Sequence, residues 1–372
     1  MYDEFGPEKI LEVYDPKTGM RGFAVIDNTA RGPGKGGIRM SATVDKEEVF
    51  QLARTMSIKN AMADLPFGGA KSGIIADPYK LDDKKKPEIV AAFGRALRCI
   101  APDIYVAAPD VAMGENEIRT FVKANGKFNS ATGKPADMKG PKGARGIPHE
   151  LGSTGWGVFH ATKVAARHLG INLKGATFMV EGFGNVGEFA AKFLCQEGAI
   201  LIGTSDSKGS VYNPEGLDFK KLKQTKAKTG RVMDYGKGKT GKPEMIRTEK
   251  ADIFIPAGKS TDVFTKKNYK KAKFKLMVCG ANIAFTPEIE EMFWRRNILV
   301  VPDFVANAGG VISSYVEYKG GKAKDVFPLV EKKVTANTKL CLDNAKRDNF
   351  SPRKAAMKIA VERIRNAMRK RK

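Results

Sequence analysis

The stretch Ala176-Thr177-Phe178-Met179-Val180-Glu181-Gly182-Phe183-Gly184-Asn185-Val186-Gly187 sets the fold of this chain. Its first five residues are a short β-rich run, and a Gly-x-Gly-x-x-Gly pattern follows at once. A helix is predicted over Val186–Glu197, stopped by Gly198. A second apolar strand, Ala199–Gly203, then leads to Asp206, 19 residues beyond Gly187. The glycine pattern alone is weak. Strand, glycines, helix, strand and an acid at this distance together form a dinucleotide-binding fingerprint. The glycines let the backbone approach a pyrophosphate, and the helix N-terminus supplies N–H groups and positive dipole. Gly182, Phe183, Gly184, Asn185, Val186, Gly187 and Asp206 are therefore candidate cofactor-binding residues. Asp206 suits the ribose hydroxyls of NAD, whereas Ser205, Ser207 and Lys208 suit the 2′-phosphate of NADP, so both cofactors stay open.

Outward from this unit the pattern repeats. Apolar runs at Ile253–Ile255, Leu276–Val278 and Ile298–Val301 predict further strands. Each ends in small or polar residues: Pro256-Ala257-Gly258, Cys279-Gly280-Ala281-Asn282, and Pro302-Asp303 leading to Asn307. Ligands of open α/β sheets sit at the carboxyl ends of strands. Ala257, Asn282 and Asn307 are thus candidate cofactor or substrate contacts, with a plain turn role as the alternative for each Asn. A helix containing Val311 and Tyr315 leaves this domain, and a final helix is predicted over Arg353–Arg369.

The N-terminal part reads differently. Ile10–Tyr14 and Gly22–Asp27 are predicted strands around the turn cluster Asp15-Pro16-Lys17-Thr18-Gly19. A helix is expected from Lys46 to Ala63, capped by Thr43 or Asp45, with Lys59 on its last turns. Next comes Leu65-Pro66-Phe67-Gly68-Gly69-Ala70-Lys71-Ser72-Gly73, read as a glycine-rich turn before a short strand Gly73–Ala76. Its only cation, Lys71, projects from a stretch with little side-chain bulk. Clustered cations make a lysine easier to deprotonate, which suits it to base work. A helix over Pro87–Cys99 and a strand over Ile104–Ala107 lead into Pro109-Asp110. Residues 126–152 are rich in Gly, Pro and Lys without periodicity and read as a long loop. Ser153 or Thr154 then opens a helix to Leu169.

Composition bounds the rest. With 372 residues the chain can form two full cores. No apolar run is long enough for a membrane span, and the acidic start Met1–Phe5 lacks a secretory signal. Four scattered cysteines and three scattered histidines give no metal-ligand spacing, so no metal is expected, and the thiols suit the cytoplasm. The net charge of +24 is spread along the chain but thickens in residues 220–242, with nine Lys/Arg against Asp234, and in the tail from Arg363. Neither stretch interleaves aromatics with cations, so a solvated surface is expected and no nucleic-acid partner. Steering of a dianionic substrate is the next reading.

These motifs resemble the glutamate/leucine/phenylalanine/valine dehydrogenase family. The resemblance rests on Gly32-Pro33-Gly34-Lys35-Gly36-Gly37-Ile38-Arg39, Lys59-Asn60-Ala61, Leu65–Pro78, Ala108-Pro109-Asp110, Gly182–Gly187 and Asn307-Ala308-Gly309-Gly310-Val311. It implies that Lys71 is the catalytic lysine activating the hydrolytic water, that Asp110 moves protons at the substrate nitrogen, and that Lys59 binds the α-carboxylate. It further implies that Lys35, assisted by Ser314, holds a side-chain carboxylate. A cation facing an apolar side chain would be buried unpaired, at a cost on the order of several kcal/mol. Lys35 and Ser314 therefore favour L-glutamate, 2-oxoglutarate and ammonia as substrates over leucine, valine or phenylalanine. The resemblance departs at Lys139–Gly152, with Ile147-Pro148-His149-Glu150, and at Trp156, where an arginine is common.

The expected architecture is α/β with two domains and the active site in the cleft between them. Residues 1–148 plus about 325–372 would form the substrate and oligomerisation domain, and 149–324 a Rossmann-type dinucleotide domain. The family implies a homo-oligomer, most often a hexamer.

Overall fold

The computed structural model describes residues 2–148, 151–259 and 261–371, so His149 and Glu150, at the expected domain boundary, lie outside the described residues. The chain divides into two compact units. One contains residues 1–151, 311–326 and 359–372, and the other 152–310 and 327–358. The return to the first unit is thus split. Residues 311–326 join it early, 327–358 pack in the second unit, and the final crossing falls inside the last helix.

In the first unit β1 (Lys9–Asp15) and β2 (Met20–Asn28) form an antiparallel hairpin. The turn closes as its residues dictate: Asp15 Oδ1 accepts from Lys17 N at 2.9 Å, and Gly19 takes a φ of 71°. Strands β3 (Gly34–Lys35), β4 (Ile38–Ser41), β5 (Gly68–Ile75) and β6 (Tyr105–Val106) complete a sheet of order β1-β2-β5-β3-β6, with β4 also on β5.

The expected glycine-rich turn is corrected here: Gly68–Ile75 is the central strand, buried along nearly its whole length. Its glycines serve close packing instead of a bend. A Cβ on Gly68 would lie 1.8 Å from Asn28 O, and one on Gly69 would lie 2.1 Å from Ser57 Oγ. Ser57 belongs to α1 (Lys46–Met62), capped by Asp45, whose carboxylate accepts from Glu48 N at 2.8 Å. Helices α2 (Lys85–Ala96) and α3 (Glu115–Asn125) cover a core of Phe93, Leu97, Tyr105, Ile118 and Phe121. In the last helix, Arg363 donates to Ala61 O and Met62 O at 3.0 and 2.8 Å, tying it to the end of α1.

The second unit begins with α4 (Ser153–His168), β7 (Thr177–Glu181), α5 (Asn185–Gln196) and β8 (Ile200–Asp206). A hairpin of β9 (Gly209–Tyr212) and β10 (Lys239–Gly241) extends the sheet antiparallel beyond β8. Between them α6 (Phe219–Thr229) carries the Lys-rich stretch and buries only Leu222 among its residues. The sheet continues through β11 (Ile253–Pro256), β12 (Leu276–Val278) and β13 (Leu299–Val301), in the order β10-β9-β8-β7-β11-β12-β13. Strands β8, β7, β11, β12 and β13 are parallel. The chain order reverses beside β7, so the ligand crevice of this sheet lies at the carboxyl ends of β7 and β11. Helices α7 (Pro287–Trp294), α8 (Asp303–Ala306), α9 (Gly309–Tyr318), α10 (Val326–Asp348) and α11 (Pro352–Arg371) follow.

A buried ion cluster fastens α11 to α7 and α8. Arg353 donates to both Glu290 oxygens at 2.8 and 2.7 Å and to Asp303 Oδ1 at 2.8 Å. Burial pushes Glu290 up to about 7 despite this arginine. Arg353→Met would leave two buried carboxylates without their cation, which typically costs about 3–5 kcal/mol. Its thermal unfolding midpoint is expected to fall by roughly 10 °C. An unchanged midpoint would show that the cluster is not a fastening.

Candidate active site

In the first unit the candidate residues converge on one sheet face. Lys35 on β3 pairs in parallel register with Gly69 on β5, and Lys71, two residues on, points to the same side. That side carries α1, whose last turn holds a half-buried Lys59 and a buried Asn60. Asn60 Nδ2 donates to Gly68 O at 2.7 Å, locking α1 to the strand beside Lys71. Lys71 Nζ lies 2.7 Å from Asp110 Oδ2, and both groups are largely buried. Arg39 Nε donates to the same oxygen at 3.2 Å and its Nη1 pairs with Glu48. The reading from residue types had not included Arg39, although it closes the Gly32–Arg39 motif. Its guanidinium thus shares the Asp110 carboxylate with Lys71.

Lys35 is 1% exposed, and its Nζ donates to Ala107 O at 2.7 Å. Burial, with Lys134 and Lys71 adding to it, pushes Lys35 down to about 7, while Glu317 opposes the shift. The amine that burial and neighbouring cations depress is thus Lys35. Lys71 has Asp110 as its immediate partner. Ser314 sits half-buried on α9, one turn before Glu317.

In the second unit the fingerprint glycines act through the backbone. Gly182 N and Phe183 N donate to Ser205 O at 3.0 and 2.7 Å, which ties the loop after β7 to the end of β8. The Phe183 ring is buried and packs on Phe219, so this residue offers a ligand no side chain. A Cβ on Gly187 would sit 2.1 Å from Gly182 O, so only glycine closes the turn. A Cβ on Gly184 would meet nothing within 4 Å. The open space therefore lies over the N-terminus of α5, where Asn185 is exposed and Val186 half-buried, and it suits a pyrophosphate.

Half-buried Ala257 belongs to the loop after β11, next to the loop that holds Gly182. Asn307 Nδ2 donates to Asn282 Oδ1 at 2.8 Å and to Gly280 O at 3.3 Å. Its own Oδ1 is buried and accepts no hydrogen bond. A buried acceptor left unfilled at the carboxyl ends of the strands fits a ligand amide or amine donor. The residues present therefore fit a nicotinamide dinucleotide.

Asp206 is already engaged within the protein. Its carboxylate is buried and already accepts from Lys208 N at 2.8 Å, Lys226 Nζ at 2.8 Å and Val232 N at 2.9 Å. Lys226 comes from α6, a helix that the sequence pattern had not marked. Ser207 is exposed at the following turn. Among the described residues no His/Cys/Asp/Glu group could hold a metal, and no helix is long and apolar enough to cross a membrane.

Residues 7–126 match the family profile described as "Glu/Leu/Phe/Val dehydrogenase, dimerisation domain", and 146–372 match "Glutamate/Leucine/Phenylalanine/Valine dehydrogenase". A glutamate dehydrogenase of Aeropyrum pernix is 36% identical over 365 residues, covering 94% of this chain and 86% of that one. An NADP-specific glutamate dehydrogenase of Saccharolobus shibatae is 35% identical, covering 98% and 90%. The Leu-bound crystal structure of a hetero-hexameric glutamate dehydrogenase from Thermus thermophilus superposes with a TM-score of 0.84 at 26% identity, over 98% of this chain and 90% of that one. With both family profiles matched and two relatives 35–36% identical over most of its length, the chain belongs to the glutamate/leucine/phenylalanine/valine dehydrogenase family.

Proposed function

We propose that this dehydrogenase converts L-glutamate and water to 2-oxoglutarate and ammonia, and runs the reverse amination. The observation that carries the choice of glutamate is Lys35: a fully buried amine on the same sheet face as Lys71, where an apolar substrate would leave it unmatched. Both curated relatives described above are glutamate dehydrogenases.

Lys59 binds the α-carboxylate, and Lys35 with Ser314 the distal one. Asp110 takes a proton from the substrate ammonium, freeing the lone pair that expels hydride from Cα. The bound NAD or NADP supplies the hydride acceptor, held by Gly182–Gly187, Ala257, Asn282 and Asn307. Lys71 then takes a proton from water as the water attacks the imine carbon. Asp110 returns a proton to nitrogen, and ammonia leaves as the carbonyl forms and the hydroxyl proton passes back to Asp110. The 2.7 Å contact of Lys71 with Asp110 lets a proton pass between the two sites. Arg39 steadies Asp110 throughout. The chain acts as a homo-oligomer, with a hexamer the state to look for by sedimentation, and its free thiols suit the cytoplasm.

Initial rates with glutamate, leucine, valine and phenylalanine, each with NAD and NADP, test the reading. Glutamate should dominate. A preference for an apolar amino acid would overturn it.

The occupied Asp206 bears on coenzyme choice. A carboxylate already holding an ammonium and two N–H groups is poorly placed to take both ribose hydroxyls. Lys226 and Lys208 beside it can meet a 2′-phosphate. The chain should therefore use NADP well. In Lys226→Ala the ratio of kcat/KM for NADP to that for NAD should fall about tenfold, the worth of one charged hydrogen bond. An unchanged ratio would place the phosphate elsewhere.

A further inference from the structure

A second buried lysine lies in the first unit, and the reaction does not use it. Lys134 follows the turn after Ala131, and its ammonium and the Glu317 carboxylate are each 1% exposed and 2.7 Å apart. Glu317 also accepts from Gly133 N at 2.6 Å and from Lys134 N at 3.4 Å. Lys134 Nζ donates to Ala131 O at 2.5 Å and stands 4.2 Å over the Phe128 ring. The carboxylate on α9 thus holds the whole turn 131–134.

The turn in turn carries the Lys35 anchor. Ala107 N donates to Ser130 O at 2.9 Å, and Ala107 O accepts from Thr132 N at 3.0 Å. The same Ala107 O is the acceptor of Lys35 Nζ. One oxygen therefore ties Lys35 to a backbone segment whose other end is pinned by Glu317. Electrostatics couples the two lysines as well, because Glu317, Lys134 and Lys71 are the charged groups acting on Lys35.

Three buried charges of this kind have two pairings. Glu317 can neutralise Lys134, leaving Lys35 with only a carbonyl. Without Lys134, Glu317 would be the carboxylate left to act on Lys35. Its ammonium would then be spent inside the protein before substrate arrives, because a buried charge takes the partner at hand.

We propose that Lys134 is a specificity-positioning residue: by occupying Glu317 it keeps the Lys35 ammonium free for the distal carboxylate of a dicarboxylic amino acid. This rests on the reading of Lys35 given above. It assigns a role in substrate choice to a pair that never touches substrate.

The test uses the full enzyme with L-glutamate and L-norvaline, which has the same carbon count but a methyl in place of the distal carboxylate. In Lys134→Met the glutamate KM should rise about tenfold or more, as for loss of one charge-assisted contact. The kcat should stay close to wild type and the norvaline KM should not move. The double variant Lys134→Met/Glu317→Gln removes both charges and should restore the glutamate KM, a coupling that a double-mutant cycle isolates. Equal rises for both substrates would reduce the pair to a structural role and overturn the proposal. So would an unchanged glutamate KM, or no recovery in the double variant. Should Lys134→Met fail to fold, Lys134→Arg and the double variant decide, since both keep Glu317 off Lys35. A tenfold glutamate KM rise in the double variant then overturns the idea. Failure of the underlying reading looks different: the wild type itself would not prefer glutamate to norvaline.

Discussion

Lys71→Ala is expected to bind NAD(P)H like the wild type and to turn over glutamate about 10⁴-fold more slowly, the upper range for removing a positioned acid–base group. The separation of binding from turnover follows from where the residue sits. Lys71 lies on β5 of the first unit, whereas the fingerprint glycines, Asp206 and Asn307 belong to the second. Truncation also leaves Asp110 without its 2.7 Å partner, while Arg39 still donates to the same oxygen. The carboxylate is therefore not orphaned, and the variant should fold. Coenzyme fluorescence titration and steady-state rates together check this. Turnover within tenfold of wild type would remove Lys71 from the base role. Lost coenzyme binding would mean that the substitution disrupts more than the chemistry.

How much of this was legible beforehand depended on range in sequence. The dinucleotide unit was readable because its rules are local. Gly187 must be glycine for a backbone contact five residues away, and the apolar strands sit between recognisable loops. The first unit misled because glycine has two uses. In Gly68-Gly69 the sequence signals a turn, but the backbone is extended and the missing side chains admit Asn28 and Ser57 from other elements. Helix α10 escaped because its buried face mixes Val326, Val330 and Val334 with Asn337, Thr338 and Cys341, which blurs the apolar stripe. Helix α3 was not marked either, although its buried Ile118, Phe121, Val122 and Asn125 lie at helical spacing. The hidden parts of the site are those made by distance. Lys35 meets Ala107 across 72 positions and Gly133 meets Glu317 across 184. No window of sequence holds either contact, so neither Lys35-Gly36 nor Glu317-Tyr318 carries a sign of it.

Lys35→Leu should have the second large effect, a change of substrate. Loss of the buried cation removes the partner of the distal carboxylate, and truncating one side of such a pair costs about 2–5 kcal/mol. The kcat/KM for glutamate should therefore fall roughly 10²-fold or more, while that for norvaline rises. The site tolerates the exchange physically. Leucine fills similar volume, Ala107 O keeps the Thr132 N–H, and Glu317 keeps Lys134 and Gly133 N. Proton linkage gives a second signature. With Lys35 pushed down to about 7, the free enzyme holds the ammonium below that pH and increasingly loses it above. A dicarboxylate that needs the ammonium must then draw a proton as it binds. The glutamate-to-norvaline ratio of kcat/KM should decline as pH rises above about 7, with steps common to both substrates cancelling. In Lys35→Leu that slope should vanish together with the preference. A variant that keeps the slope would locate the titrating group elsewhere, and one that keeps the preference would locate the carboxylate elsewhere. The two readouts separate what Lys35 contributes as a charge from what it contributes as a shape.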